Sequence, residues 1–152
     1  MKQEGRRIVF SIPGETHYLT QIRSLISQVA SEAGLAEEEL YKIETAVDEA
    51  CTNVIEHAYK GEKESKPIQI CLEVTPSRLV VSVKDYGRKF NPGAVKPPDL
   101  SKFITEKRDG GLGLFLLQSL MDEIHYTSDP RGYNELTLIK YLKPKQRNGP
   151  DV

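Results

Sequence analysis

No strong charge of either sign marks this sequence: 21 Lys and Arg stand against 22 Asp and Glu, a formal net charge of −1. That balance excludes the broad basic field of a typical nucleic-acid-binding domain, so no direct nucleic-acid partner is expected. Cysteine is scarce. Cys51 and Cys71 are the only two, neither lies in a C-x-x-C pair, and no His/Cys cluster has zinc spacing. Two reduced, largely buried thiols are the plain reading. Long apolar runs are missing too. Nothing approaches the length of a membrane span, and the opening MKQEGRRIVFSIPGE has no apolar segment of signal-peptide size. These absences predict a cytoplasmic protein that does not engage a membrane. Internal repeats and heptad arrays are absent as well.

What is there suits one soluble domain. The chain has 152 residues, 28% charged and 38% hydrophobic, enough for one core and too apolar for wholesale disorder. Residues 1–142 are expected to form the domain. The tail 143–152, KPKQRNGPDV, is polar with two prolines and is expected to fray.

Arg6 to Ile12 alternates and reads as a strand ended by Pro13-Gly14. Leu19, Ile22, Ile26, Val29, Ala30 and Ala33 recur at helical spacing, and Gly34 stops that helix. A second helix spans about Glu37 to Tyr59, with Leu40, Ile43, Val47, Ala50, Cys51, Val54 and Ala58 as one stripe. Ile68 to Val74 and Leu79 to Lys84 read as a hairpin across Thr75-Pro76-Ser77-Arg78. The long stretch Gly87 to Gly111 has little periodicity, the mark of a lid or binding loop. A short apolar helix, Leu112 to Met121, opens at a glycine cluster. Two strands, His125 to Ser128 and Glu135 to Leu142, close the chain around Asp129-Pro130-Arg131-Gly132. The order β-α-α-β-β-lid-α-β-β predicts an α+β two-layer sandwich, with a mixed, mostly antiparallel sheet and helices on one face. A Rossmann arrangement fits badly, because its Gly-rich turn directly follows the first strand.

Three constellations carry candidate chemistry. Glu49 and Asn53 are four residues apart on the second helix, so their side chains are neighbours. At ~100° per residue they are expected roughly opposite the apolar stripe. An amide oxygen suits a hard cation such as magnesium, and a carboxylate can accept a proton. A solvated polar helix face explains the same pair. Asp85 ends an apolar strand and Gly87 follows it. A carboxylate there can accept from the exocyclic amine of a base, and glycine lets a flat ring approach; an ordinary strand exit has the same residues. Gly110, Gly111 and Gly113 open the third helix, where free N–H groups make an anion site. A flexible hinge would look alike.

Taken together and in this order, the three resemble the N, G1 and G2 boxes of the GHKL ATPases, across roughly Arg6 to Leu142. The likeness is greatest to the bacterial anti-sigma factor serine kinases. VDEACTNVIEHAY is similar to their E-A-x-x-N-x-x-x-H-(A/G)-Y signature, DYGRKFNP to their first glycine box, and GGLGLFLLQSLMDEIHY to their second. The resemblance implies an ATP- and ADP-binding serine protein kinase with Mg²⁺ that phosphorylates a small antagonist protein. A sigma factor as second partner and a homodimer come with it. Glu49 would be the general base, Asn53 the Mg²⁺ ligand, Asp85 the adenine acceptor with Gly87 beside the base, and Gly111 and Gly113 the phosphate-admitting glycines. Lys107 or Arg108 would neutralise γ-phosphate charge, and Arg23 takes the place of an arginine used in partner contact. Lys89 replaces the second glycine of the commoner D-x-G-x-G. His57 follows the N box and either nears the phosphates or merely packs. Two other readings stay open: a nucleotide-switched binding module that transfers nothing, and an ATP hydrolase of the same superfamily.

Overall fold

The computed structural model describes residues 5–59, 66–87 and 111–142. Five strands form one sheet: β1 (Arg6–Pro13), β2 (Pro67–Val74), β3 (Arg78–Asp85), β4 (Glu123–Asp129) and β5 (Tyr133–Tyr141), in the spatial order β1-β2-β3-β5-β4. Every pairing among the described residues is antiparallel, so the sheet has no parallel component there. Among the described residues three α-helices accompany it: α1 (Leu19–Glu32), α2 (Glu37–Asn53) and α3 (Gly111–Leu120). The expected order of strands and helices holds among the described residues.

Strand register explains which face is covered. Ile8, Phe10 and Ile12 stand opposite Leu72, Ile70 and Ile68. Ile70 and Leu72 in turn face Val83 and Val81, and Val81 faces Leu138. Because side chains alternate along a strand, these residues share one side of the sheet. Ile68, Ile70, Leu72, Val81, Val83 and Leu138 are buried with Ile22, Ile26 and Ala30 of α1, Ile43, Ala46, Val47, Ala50 and Cys51 of α2, and Leu117 of α3 in a single core, and the half-buried Ile8, Phe10 and Ile12 pack against it. All three helices therefore cover one face. Gly34, at φ 93°, ends α1 as its left-handed backbone requires.

The second helix does not run regularly to Tyr59. Regular α-helix stops at Asn53, and Val54–Ala58 form one wider π-type turn before Tyr59. Such a turn adds a residue without breaking the apolar stripe, so periodicity does not reveal it. Widened turns of this kind recur where a helix carries chemistry.

A charged brace sets how the helices lie. Lys140 belongs to the helix-facing side of β5, in phase with Leu138, and is 6% exposed. Its ammonium lies 2.5 Å from Glu39 Oε2, in the first turn of α2, and donates to the Leu120 carbonyl at the end of α3 (3.0 Å). The start of α2 and the end of α3 thus meet over one cation. As the two helices pack side by side, they run in opposite directions. The end of α2 and the start of α3 lie together at the other end of the sheet, about 15 Å along α3 from Leu120.

The Lys140 hydrogen bond, ahead of the smaller effect of Lys42, holds the Glu39 carboxyl below its ordinary range. A depressed carboxylate stabilises the fold above its unfolded-state pKa, and that contribution disappears as pH falls through the folded value. Glu39→Gln should therefore cost roughly 1–3 kcal/mol at neutral pH, less than a fully sealed pair because Glu39 keeps some contact with water. The gap between parent and variant should close as pH drops below the usual glutamate range. Urea denaturation at pH 7 and at acid pH reads both; equal midpoints at pH 7 would show that the brace contributes nothing.

Candidate functional site

The end of the sheet opposite Lys140 is polar on the helix-facing side. Asp85 is in phase with Leu79, Val81 and Val83, and stands opposite Asn134 on β5, which stands opposite Ser128 on β4. Asp85 is 6% exposed and Asn134 2%. A carboxylate so placed must be hydrogen-bonded to be tolerated. Its Oδ1 accepts from the Gly87 backbone N–H at 2.9 Å and from Asn134 Nδ2 at 3.0 Å. Asn134 Oδ1 accepts from Ser128 Oγ at 2.8 Å. No described residue donates a hydrogen bond to Asp85 Oδ2. The network fixes the carboxylate plane and leaves one oxygen as a directed acceptor. Partial burial, then the Asp85 charge, push the phenol of the neighbouring Tyr126 above its usual value, so it stays neutral.

The sequence reading places Asp85 and Gly87 correctly at the strand end. Asn134 and Ser128 are missed. The signal existed: Asn134 continues the alternation of Leu136 and Leu138 and is a polar residue in an apolar phase. The expected strand began at Glu135, one residue too late to include it.

Glu49 and Asn53 share a flank of α2, as four-residue spacing requires. Both are half-buried. At ~100° per residue they fall on the margin of the buried stripe, which corrects the expectation of a position opposite it. Polar side chains at that margin line the cleft beside a helix. Asp48 marks the other flank, toward α1, where Arg23 Nε approaches its Oδ1 at 3.3 Å. The approach is close enough for an ion pair but is not aligned as a hydrogen bond, and Oδ1 is otherwise buried without one. Arg23 is thus paired within the chain, with 48% of its side chain exposed. Cys51, next along α2, is pushed up to about 12 by burial first and by Asp48 second, which makes it an inert thiol.

Gly111 and Gly113 occupy the first turn of α3, at the end of the helix that the Lys140 brace turns toward Asn53. The close of α2, the close of β3 and the start of α3 therefore converge. Lys107, Arg108, Lys89 and most of the Gly87–Gly111 stretch lie outside the described residues, as do the side chain of His57 and the tail 143–152.

Tyr59, the last residue of the helix signature, is 7% exposed. Its hydroxyl donates to the Pro67 carbonyl at 2.6 Å and accepts from the Tyr86 N–H at 3.0 Å. Its ring packs so closely on Gly14 that a β-carbon there would sit 2.7 Å from the ring and 2.6 Å from the Lys66 carbonyl oxygen. The sequence reading quotes this tyrosine as part of a motif and gives it no role.

The model of the histidine kinase-like ATPase domain matches residues 12–140. The serine-protein kinase RsbW of Staphylococcus epidermidis is 36% identical over 151 residues, covering 95% of this chain and 94% of its own. That of Staphylococcus aureus is 34% identical over 158, covering 100% and 98%. Among solved structures, the RsbU and RsbW domains of Rv1364c from Mycobacterium tuberculosis align with a TM-score of 0.64 at 16% identity, over 91% of this chain and 33% of that one. The SiaB–SiaC complex from Pseudomonas aeruginosa aligns at 0.63 and 13% identity, over 87% and 88%. These two likenesses establish the same fold.

The Asp85 network makes a stability prediction independent of any ligand. Asn134→Ala leaves Ser128 without its acceptor and removes one donor from a buried carboxylate, which should cost about 1–3 kcal/mol. In a double-mutant cycle with Asp85→Ala, the two losses should fail to add by more than ~0.5 kcal/mol. Additive losses in urea denaturation would mean that the two side chains are not coupled.

Proposed function

We infer a protein kinase from one premise: the chain belongs to the histidine kinase-like ATPase domain family. Relatives matching it from end to end at 34–36% identity are serine-protein kinases by name. The chain binds ATP and transfers the γ-phosphoryl group to a serine of a small antagonist protein, acting as an anti-sigma factor kinase. The observation that carries the site is the buried Asp85 carboxylate, held through Oδ1 with Oδ2 left to accept.

The base end comes first. Asp85 Oδ2 accepts from the adenine amine, and Gly87 leaves room for the ring. The other end of the nucleotide runs toward Gly111 and Gly113, whose backbone N–H groups at the start of α3 favour phosphate oxygens. Among the described residues no group of three His, Cys, Asp or Glu could hold a metal ion. Mg²⁺ commonly takes one or two protein oxygens and completes its shell with phosphates and water; Asn53 Oδ1 is the ligand in this reading. Bound there, Mg²⁺ would neutralise charge on the phosphates. Glu49 accepts the proton of the incoming serine hydroxyl as its oxygen attacks the γ-phosphorus, and the bond to ADP breaks on the far side. Such a transfer depends on alignment and charge more than on covalent help.

Lys107 and Arg108 at the end of the lid segment are assigned to the γ-phosphate. Arg23 is assigned to the partner, exchanging Asp48 for an acidic group on the docked protein. A sigma factor as second partner, a homodimer and a cytoplasmic location complete the proposal. No helix of the described residues is long and apolar enough to cross a membrane.

Glu49→Gln keeps the shape and removes the base. Phosphorylation of the antagonist should fall by roughly 10²–10⁴, while ATP affinity stays within a few-fold. Asn53→Ala should weaken Mg²⁺-dependent nucleotide binding and transfer together. The measurement is phosphoserine formation beside fluorescent-nucleotide titration, with and without EDTA. Full phosphorylation by Glu49→Gln would remove the base assignment. ATP binding by the parent without any transfer to its partner would leave the nucleotide-switched binding module. Release of phosphate to water alone would leave the hydrolase.

A further inference from the structure

We propose that Tyr59 is a positioning residue for adenine recognition: its hydroxyl replaces a missing rung between β2 and β3 and so holds the Asp85–Gly87 turn open. The inference rests on the assignment of Asp85 to the adenine amine. Gln69 stands opposite Lys84 in the β2–β3 ladder. Two residues further along, the same register sets Pro67 opposite Tyr86. A proline has no N–H, so a reciprocal pair of backbone bonds cannot form there. The Tyr86 N–H instead donates to the Tyr59 hydroxyl at 3.0 Å, and that hydroxyl donates to the Pro67 carbonyl at 2.6 Å. The Tyr86 carbonyl accepts from Lys66 Nζ at 3.2 Å. Side chains thus hold both backbone polar groups of Tyr86, the residue between Asp85 and Gly87.

The inserted hydroxyl spreads the two strands where Asp85 leaves the sheet. A direct amide-to-carbonyl bond across the pair would draw Tyr86 toward Pro67 and carry the Asp85 carboxylate and the Gly87 N–H with it. Tyr59 also follows the wide turn after Asn53, so one side chain ties the metal-binding end of α2 to the base-binding end of β3. The ring is held against Gly14, which fixes the hydroxyl in place.

The test compares ATP with purine riboside triphosphate, which lacks the exocyclic amine, on the full chain. The parent should prefer ATP. Tyr59→Phe keeps the ring and deletes the hydroxyl. Its preference for ATP should shrink about three- to tenfold, the scale of one net hydrogen bond, with little change in affinity for the analogue. Exchange of the Tyr86 amide should change as well. Pro67→Val, which restores a backbone donor and lets the rung close, should shrink the preference in the same direction and keeps the question answerable if Tyr59→Phe does not fold. Equal loss for both nucleotides, or an undiminished preference in a folded variant, overturns the role of Tyr59. A parent without preference overturns the adenine assignment of Asp85, and the inference with it.

Discussion

A carboxylate taken out of water at the end of an apolar sheet face is the constraint around which this molecule is arranged. Asp85 sits in phase with Leu79, Val81 and Val83, where an unpaired charge would be far too costly to keep. Its neighbours answer that cost. Gly87 folds back to donate its N–H, and Asn134 donates from the adjacent strand while Ser128 orients it. The satisfied oxygen and the remaining one differ for that reason, and the difference gives the site a direction in which to accept a hydrogen bond.

The same face carries a second buried charge at its other end. Lys140 and Asp85 bracket a strip of aliphatic side chains, and helix ends lie beside each. Lys140 collects the start of α2 and the end of α3. Near Asp85 are the residues that close α2, through Tyr59 and Tyr86. Antiparallel packing of α2 and α3 then follows without a separate cause, and it brings Asn53 and Gly111 to one end. Three motifs spread over more than sixty residues of sequence become one neighbourhood through that packing.

Much of this was legible beforehand. Helical and alternating periods located the elements, since burial on one face imposes them directly. The same periods put Glu49 and Asn53 on α2, Asp85 at the close of β3 and Gly111 at the start of α3, where the structure has them. What stayed hidden depends on register between distant strands. Asn134 is polar in a phase set by Leu136 and Leu138, which matters only once β5 lies beside β3. The wide turn after Asn53 preserves the apolar stripe and leaves no trace in the pattern. Glu49 and Asn53 were expected on an open face and lie at its margin, because Asp48, Cys51 and Ile55 carry the packing on α2 round toward α1 and leave the opposite edge half-covered.

Gly14 has a consequence for how such chains can drift. No side chain fits between its α-carbon, the Lys66 carbonyl and the Tyr59 ring. Lineages that keep the tyrosine are bound to keep the glycine, and one that acquires alanine at the first site must shrink or lose the ring at the second. Two positions 45 residues apart, in a strand exit and a helix exit, should therefore change together or not at all.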